Sequence, residues 1–189
     1  MKIFGFGHRK QVGKDMVVRG VAELLEEKDP SLYIYQDSFA GCVYDVCEKL
    51  YGWLGFRAKS YYDKNPKEKE IKLPKINKTP REILINLGTY GIRDKVWENT
   101  WCEYLLAKYD YSLTNAVLLI SDLRFPNEFR VIKERGGKCC KIVRPQAPRS
   151  DDVADKALSG YISEWDYVFM NTGTPQQLIE LVYNEIQNS

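Results

Sequence analysis

Histidine is almost missing from this chain, with His8 the sole example in 189 residues. That removes the usual material for histidine-bound metals and for triads built on an imidazole base. Cysteine is sparse and odd in number: Cys42, Cys47, Cys102, Cys139 and Cys140. Without paired metal-type spacings, these five point to reduced thiols, several of them buried, rather than to a disulfide framework. An excess of either charge is missing too, since 28 basic side chains face 26 acidic ones. No global field draws the chain to nucleic acid or to an anionic membrane, so any anion site has to be local. Long apolar runs are absent: stretches such as Ala116 to Ile120 are far too short to cross a bilayer, and a basic loop interrupts residues 1–20. The expectation is a soluble cytoplasmic protein with no membrane partner and no stable nucleic-acid binding. Internal repeats are lacking as well. With 44% hydrophobic residues the chain can bury one sizeable core, which predicts a single domain over residues 1–189.

What is present is an alternation of strand and helix patterns. Lys2-Ile3-Phe4-Gly5-Phe6 has the length and apolar character of a buried strand and runs into a turn containing glycine and basic residues. From Lys14 onward, Met16-Val17-Val18, Val21-Ala22 and Leu24-Leu25 recur near helical spacing until Asp29-Pro30. A second strand is predicted at Leu32 to Tyr35 and a helix from Ser38 to Tyr51. Between Arg57 and Lys78 the chain turns lysine-rich, carries Pro66 and Pro74 and loses apolar periodicity. That composition predicts a solvated, mobile lid or substrate-binding insertion at about residues 57–78.

Thr79-Pro80-Arg81-Glu82 reads as a capped helix start with Ile83, Leu84 and Leu87 turned inward. A further helix is predicted from Asp94 to Tyr109, with Trp97 and Trp101 on one face. Ala116 to Ile120 is the kind of run that a parallel sheet buries on both faces, and Asp122 is expected just past its end. A helix from Asn127 to Arg135 stops at Gly136-Gly137, strands follow at Lys138 to Val143 and Tyr167 to Met170, and Thr174-Pro175 opens a last amphipathic helix. Together these predict an α/β, three-layer, P-loop NTPase-like fold with a right-handed, mainly parallel sheet.

A phosphate-binding loop needs a strand that delivers the chain into a turn of inward backbone N–H groups, then a helix whose amino terminus adds positive potential. The first 30 residues have that order. The usual spacing is Gly, four residues, Gly-Lys and Ser or Thr. Here His8 occupies the first position, Gly7 precedes it, and Gly13-Lys14-Asp15 closes the pattern. Gly13 lets backbone approach the phosphates and Lys14 suits the β- and γ-phosphates. Asp15 replaces the hydroxyl that ligates magnesium and can hold the ion directly or through water. After the most apolar strand, Asp122 is a candidate for magnesium or for the attacking phosphate, Arg124 for phosphate oxygens, and Glu128 for holding Arg124 or meeting an acceptor sugar. Arg81, Thr89 and Arg93 suit an acceptor phosphate. Trp97 and Trp101 can stack on a base or pack in a core, and Tyr61 and Tyr62 read either way.

In order, these blocks resemble the bacteriophage-type deoxynucleoside monophosphate kinases. The matching pieces are Gly13-Lys14-Asp15, Ser38-Phe39-Ala40, Thr79-Pro80-Arg81-Glu82 leading to Gly88-Thr89 and Arg93, Asp122 through Glu128, and Asn171 followed by Gly173-Thr174. The resemblance implies transfer of the γ-phosphoryl group of ATP, with magnesium, to a deoxynucleoside monophosphate (dNMP). It implies an ATP side formed by Gly7, His8, Val12, Gly13, Lys14, Asp15 and Met16 with an adenine-side loop at Asn171, Gly173 and Thr174. It implies acceptor and catalytic roles for Arg81, Gly88, Thr89, Arg93, Trp101, Asp122, Arg124 and Glu128, magnesium at Asp15 and Asp122, and it allows a homodimer in a host-cell cytoplasm. The chain departs from the family at His8, Met16 and Ile85, where glycine, threonine and glutamine are usual. Two other readings stay open: a P-loop kinase for another small acceptor, of the dephospho-coenzyme A type, and a nucleotide-binding regulatory protein with impaired catalysis.

Overall fold

Burial of five consecutive residues, Ile3 to Gly7, requires neighbours on both sides of the first strand. This computed structural model, which describes residues 1–7, 9–148, 156–161 and 163–189, supplies them. Strands β1 (Lys2–Gly7), β2 (Tyr33–Asp37), β3 (Ala116–Leu123), β4 (Lys138–Val143) and β5 (Tyr167–Met170) form one sheet in the order β2-β3-β1-β4-β5. Every pairing in it is parallel. The strand β1 is central: the chain passes first to β2 and β3 on one side of it and then crosses to β4 and β5 on the other, so its carboxyl end lies at a switch point where open α/β sheets place ligands.

The chain divides into two compact units. The first comprises Met1–Ser38 and Tyr109–Ser189 and holds the whole sheet; the second is Phe39–Lys108. In the first unit, Phe4, Phe6, Val117, Leu119, Cys140, Ile142 and Phe169 pack with the apolar stripes of α1 (Lys14–Lys28) and of α7 (Pro175–Gln187). The other face carries α6 (Pro126–Glu134), with Cys139 Sγ 3.9 Å from the Phe129 carbonyl and Ile132 fully buried. Helix, sheet and helix make the three layers and bear out the α/β class. Asp122 is placed differently from expectation: β3 continues through it to Leu123 because the pairing resumes at Gly7 after a shift in register.

The second unit contains α2 (Phe39–Tyr51), α3 (Lys59–Lys64), α4 (Pro80–Leu84), a π-helix at Ile85–Arg93 and α5 (Thr100–Leu106). Its core is Tyr44, Cys47, Phe56, Tyr62, Leu73 and Ile83. The lysine-rich segment 57–78 contributes to this core. It forms α3, a 3-10 turn at Pro66–Glu70 and an antiparallel bridge between Leu73 and Lys78, and it delivers Tyr62 to within 5.8 Å of Tyr44 and 5.5 Å of Phe56 between ring centres. Composition hid this because a few large rings, at irregular spacing, supply the buried area. The helix expected from Asp94 to Tyr109 begins only at Thr100, so Trp97 and Trp101 do not share a helical face. The π-helix ends in bonds from both Val96 and Trp97 to the Ile92 carbonyl, and the chain breaks there before α5 starts. Thr79 caps α4 as expected: its Oγ1 accepts from the Glu82 N–H at 3.1 Å, and Glu82 Oε2 accepts from the Thr79 N–H at 2.8 Å. Among the described residues no helix is long and apolar enough to cross a membrane.

Candidate active site

The chain leaves β1 at Gly7, where there is no space for a side chain. A Cβ there would sit 2.6 Å from the Trp165 ring and 2.7 Å from the Leu123 carbonyl. His8 lies outside the described residues. Val12 returns to the core. Gln11 (φ 58°) and Gly13 (φ 101°) then take left-handed backbone, and Gly13 is the N-cap of α1 without any side-chain cap. Gly13 itself offers α1 no capping side chain, and the helix dipole adds positive potential at that end. Both features suit an anion.

Two carbonyls of this loop are bonded by side chains. The Lys14 ammonium, on a residue only 6% exposed, donates to the Arg9 carbonyl. Asn171 Nδ2, on the turn after β5, donates to the Val12 carbonyl at 2.9 Å. Asp15 is exposed in the first turn of α1, where its charge suits the helix dipole. Met16 Cε lies 3.6 Å from the position of a Cβ on Gly13. Gly173 and Thr174 follow in the same turn as Asn171. Thr174 is the N-cap of α7, its Oγ1 accepting from the Gln177 N–H at 3.2 Å.

Beside the loop, β3 spends three residue steps, Ile120 to Leu123, where β1 spends two, Gly5 to Gly7. Asp122 lies in this irregularity, of the kind that re-aims side chains next to sites. Asp122 and Arg124 are half-buried. Glu128 holds Arg124 through its backbone: Oε2 accepts the Arg124 N–H at 2.7 Å and the Phe125 N–H at 3.0 Å. It is only 8% exposed and caps α6. The contact with Arg124 thus runs through its backbone N–H, since two backbone donors at a helix start need an acceptor.

In the second unit, Arg81 Nε is 2.6 Å from Glu70 Oε1, an exposed pair. Exposed pairs contribute about 0–1 kcal/mol, so the guanidinium can exchange this partner. Gly88, Thr89 and Arg93 all lie on the π-helix, a rare form frequently found at functional sites. Trp101 Nε1 donates to the Gly88 carbonyl at 2.8 Å, and its ring is 8% exposed, so it packs in the core. Trp97 is exposed.

The sequence reading missed Lys141. It pairs with Gly7 across β1 and β4, and its Nζ lies 5.8 Å from the centre of the Trp165 ring. Burial, and after it the charge of Arg9, holds its ammonium below the usual lysine pKa. A lone charge inside Cys139-Cys140-Lys141-Ile142-Val143 was the available signal. Burial also pushes the Cys139 thiol up to about 12, which keeps it protonated and inert near neutral pH. Among the described residues no three His, Cys, Asp or Glu side chains gather to enclose a metal ion.

A parallel sheet between two helical layers, its central strand opening through a Gly-Lys turn into a helix, has the P-loop arrangement. No protein-family profile matches the sequence. Over 121 residues, 59% of the chain, it is 30% identical to a protein of Acanthamoeba polyphaga mimivirus that carries deoxynucleotide monophosphate kinase as a provisional name. The match spans 63% of that relative's length. Among solved structures the chain is similar to shikimate kinase from Bacteroides thetaiotaomicron, with 14% identity, TM-score 0.48 and coverage of 99% of this chain and 97% of that one. It is also similar to shikimate kinase from Aquifex aeolicus, with 13% identity, TM-score 0.45 and coverage of 100% and 97%. At those scores the fold assignment rests on strand order and loop geometry.

Proposed function

We propose that this protein is an ATP-dependent kinase that converts a deoxynucleoside monophosphate to the diphosphate. The observation that carries the reading is the Gly13-Lys14 turn at the amino terminus of α1, at the carboxyl end of the central strand. The ordered motifs of the sequence and the provisional name of the mimivirus relative support the acceptor class.

In this reading Gly13 and the first N–H groups of α1 receive the donor phosphates, and Lys14 exchanges the Arg9 carbonyl for a β- or γ-phosphate oxygen. Residues Gly7, Val12 and Met16 shape the loop. Asp15, exposed in the first turn of α1, and Asp122, half-buried in the β3 irregularity, are the carboxylates that would hold magnesium, which would supply screening of the phosphate charge. In the first unit Arg124 serves phosphate oxygens; within the second, Arg81 and Arg93 serve the acceptor phosphate together with Thr89 and the Gly88 backbone. The acceptor phosphate is already a nucleophile, so transfer needs position and charge stabilisation rather than a strong base.

A coupled assay with ATP, magnesium, each of the four common dNMPs and dephospho-coenzyme A tests this. Turnover with at least one dNMP is expected, and Lys14→Ala should lower kcat by about 10²–10³-fold. Folded protein that turns over none of the dNMPs overturns the proposal. ATP binding without transfer to any acceptor points instead to a nucleotide-binding regulatory protein.

A further inference from the structure

Asn171 reaches the phosphate loop from 159 residues away, through its side chain alone. Its backbone N–H is engaged elsewhere, donating to the Val143 carbonyl at 2.7 Å and prolonging the β4–β5 pairing by one step. Any residue but proline at 171 keeps that bond. The side-chain amide does something only asparagine does here. Nδ2 donates to the Val12 carbonyl at 2.9 Å and lies 2.8 Å from where a Cβ on Gly13 would be, so it closes against the left-handed turn itself.

An anion-binding turn has a specific requirement: its N–H groups must face the anion and its carbonyls must not. In this loop the Arg9 carbonyl is taken by Lys14, a residue that must let go of it to meet phosphate. The Val12 carbonyl is held by a neutral amide with no such second duty. We infer that Asn171 is a positioning residue for the phosphate loop: it turns the Val12 carbonyl aside and fixes the Gly13 backbone so that the first N–H groups of α1 stay presented to the donor phosphates. This rests on the proposed phosphate-binding role of the loop, and it differs from an adenine contact, which would touch the base and leave the loop unaffected.

The two roles separate by ligand. Full-length protein carrying Asn171→Leu, which keeps the branched shape but has no donor, is compared with the unaltered protein for binding of ATP and of inorganic tripolyphosphate, which has no base. Hydrogen exchange of the amides of residues 9–14 is followed without ligand. A brace predicts loss of affinity for both ligands in parallel, by about tenfold, the value of one hydrogen bond. It also predicts faster exchange confined to the loop. Asn171→Ala should give the same pattern, which guards against an effect of leucine's bulk. Weaker ATP binding with unchanged tripolyphosphate binding and unchanged exchange overturns the brace in favour of a base contact. Unchanged binding and exchange overturn it outright. If the unaltered protein binds neither ligand, the phosphate reading of the loop fails; exchange of residues 9–14 then still decides whether Asn171 orders the loop.

Discussion

Replacing Gly13 by alanine attacks the phosphate loop at its most constrained point. Two separate terms can be read from the structure. The first is conformational: φ is 101°, a region that costs an L-residue about 1–3 kcal/mol. The second is steric. The new Cβ would lie 2.8 Å from Asn171 Nδ2, and that amide cannot swing away without losing its bond to the Val12 carbonyl, worth about 0.5–1.5 kcal/mol. The sum is about 1.5–4.5 kcal/mol, or a fall in Tm of roughly 3–18 °C for a chain of this size. Gly136→Ala provides the control, because its φ is also positive, at 70°, while nothing lies within 4 Å of its Cβ. Only the conformational term applies there. Calorimetry on both variants, on Asn171→Ala and on Gly13→Ala combined with Asn171→Ala isolates the clash as the departure from additivity. If Gly13→Ala matches the unaltered protein in both Tm and ATP affinity, the described loop geometry is wrong.

Glu128→Ala should destabilise the protein by about 1–3 kcal/mol by leaving the Arg124 and Phe125 N–H groups without their carboxylate, whereas Glu128→Gln keeps an acceptor oxygen and most of the stability; urea denaturation compares them. Asp166 predicts a pH effect. Burial draws its carboxyl upward, but the Cys139 N–H at 2.8 Å and the Lys133 ammonium at 2.7 Å outweigh that and hold it below the ordinary 3.8. Because the folded value is depressed, its stabilisation is complete above the unfolded value and is lost as pH falls from about 4 through the folded value. Stability curves for the unaltered protein and Asp166→Asn should therefore converge below that window, and curves that stay parallel down to acid pH would contradict the assignment.

Local chemistry made much of the fold legible. The strand and helix around Gly13-Lys14 follow from an apolar run and a 3.6-residue stripe, and Thr79 and Thr174 announce their helices by capping patterns that do not depend on the rest of the chain. What escaped depends on distant partners or rare backbone. The π-helix has the same apolar residues an α-helix would use, and differs only in its hydrogen bonding. The core around Tyr62 has no period to detect. Glu128 was singled out for its charge, yet its position one turn into α6 makes it a cap first. Asn171 belonged to a recognisable motif, but nothing local could pair its amide with Val12.

The central place of β1 also shapes how the protein is made. During synthesis this strand emerges well before the strands it pairs with: Ile3, Phe4 and Phe6 are ready for burial, yet its partners are residues 117–123 and 138–141. At about 5–20 residues per second the wait lasts on the order of ten seconds. Phe39–Lys108 is complete before β3 leaves the ribosome, while the opening strand still exposes an unpaired, aggregation-prone ribbon. The phosphate loop waits longer still, because the amide that pins Val12 is translated 159 residues after it. A ribosome-bound fragment ending before Asn171 would carry the Gly13-Lys14 loop without its bond to the Val12 carbonyl.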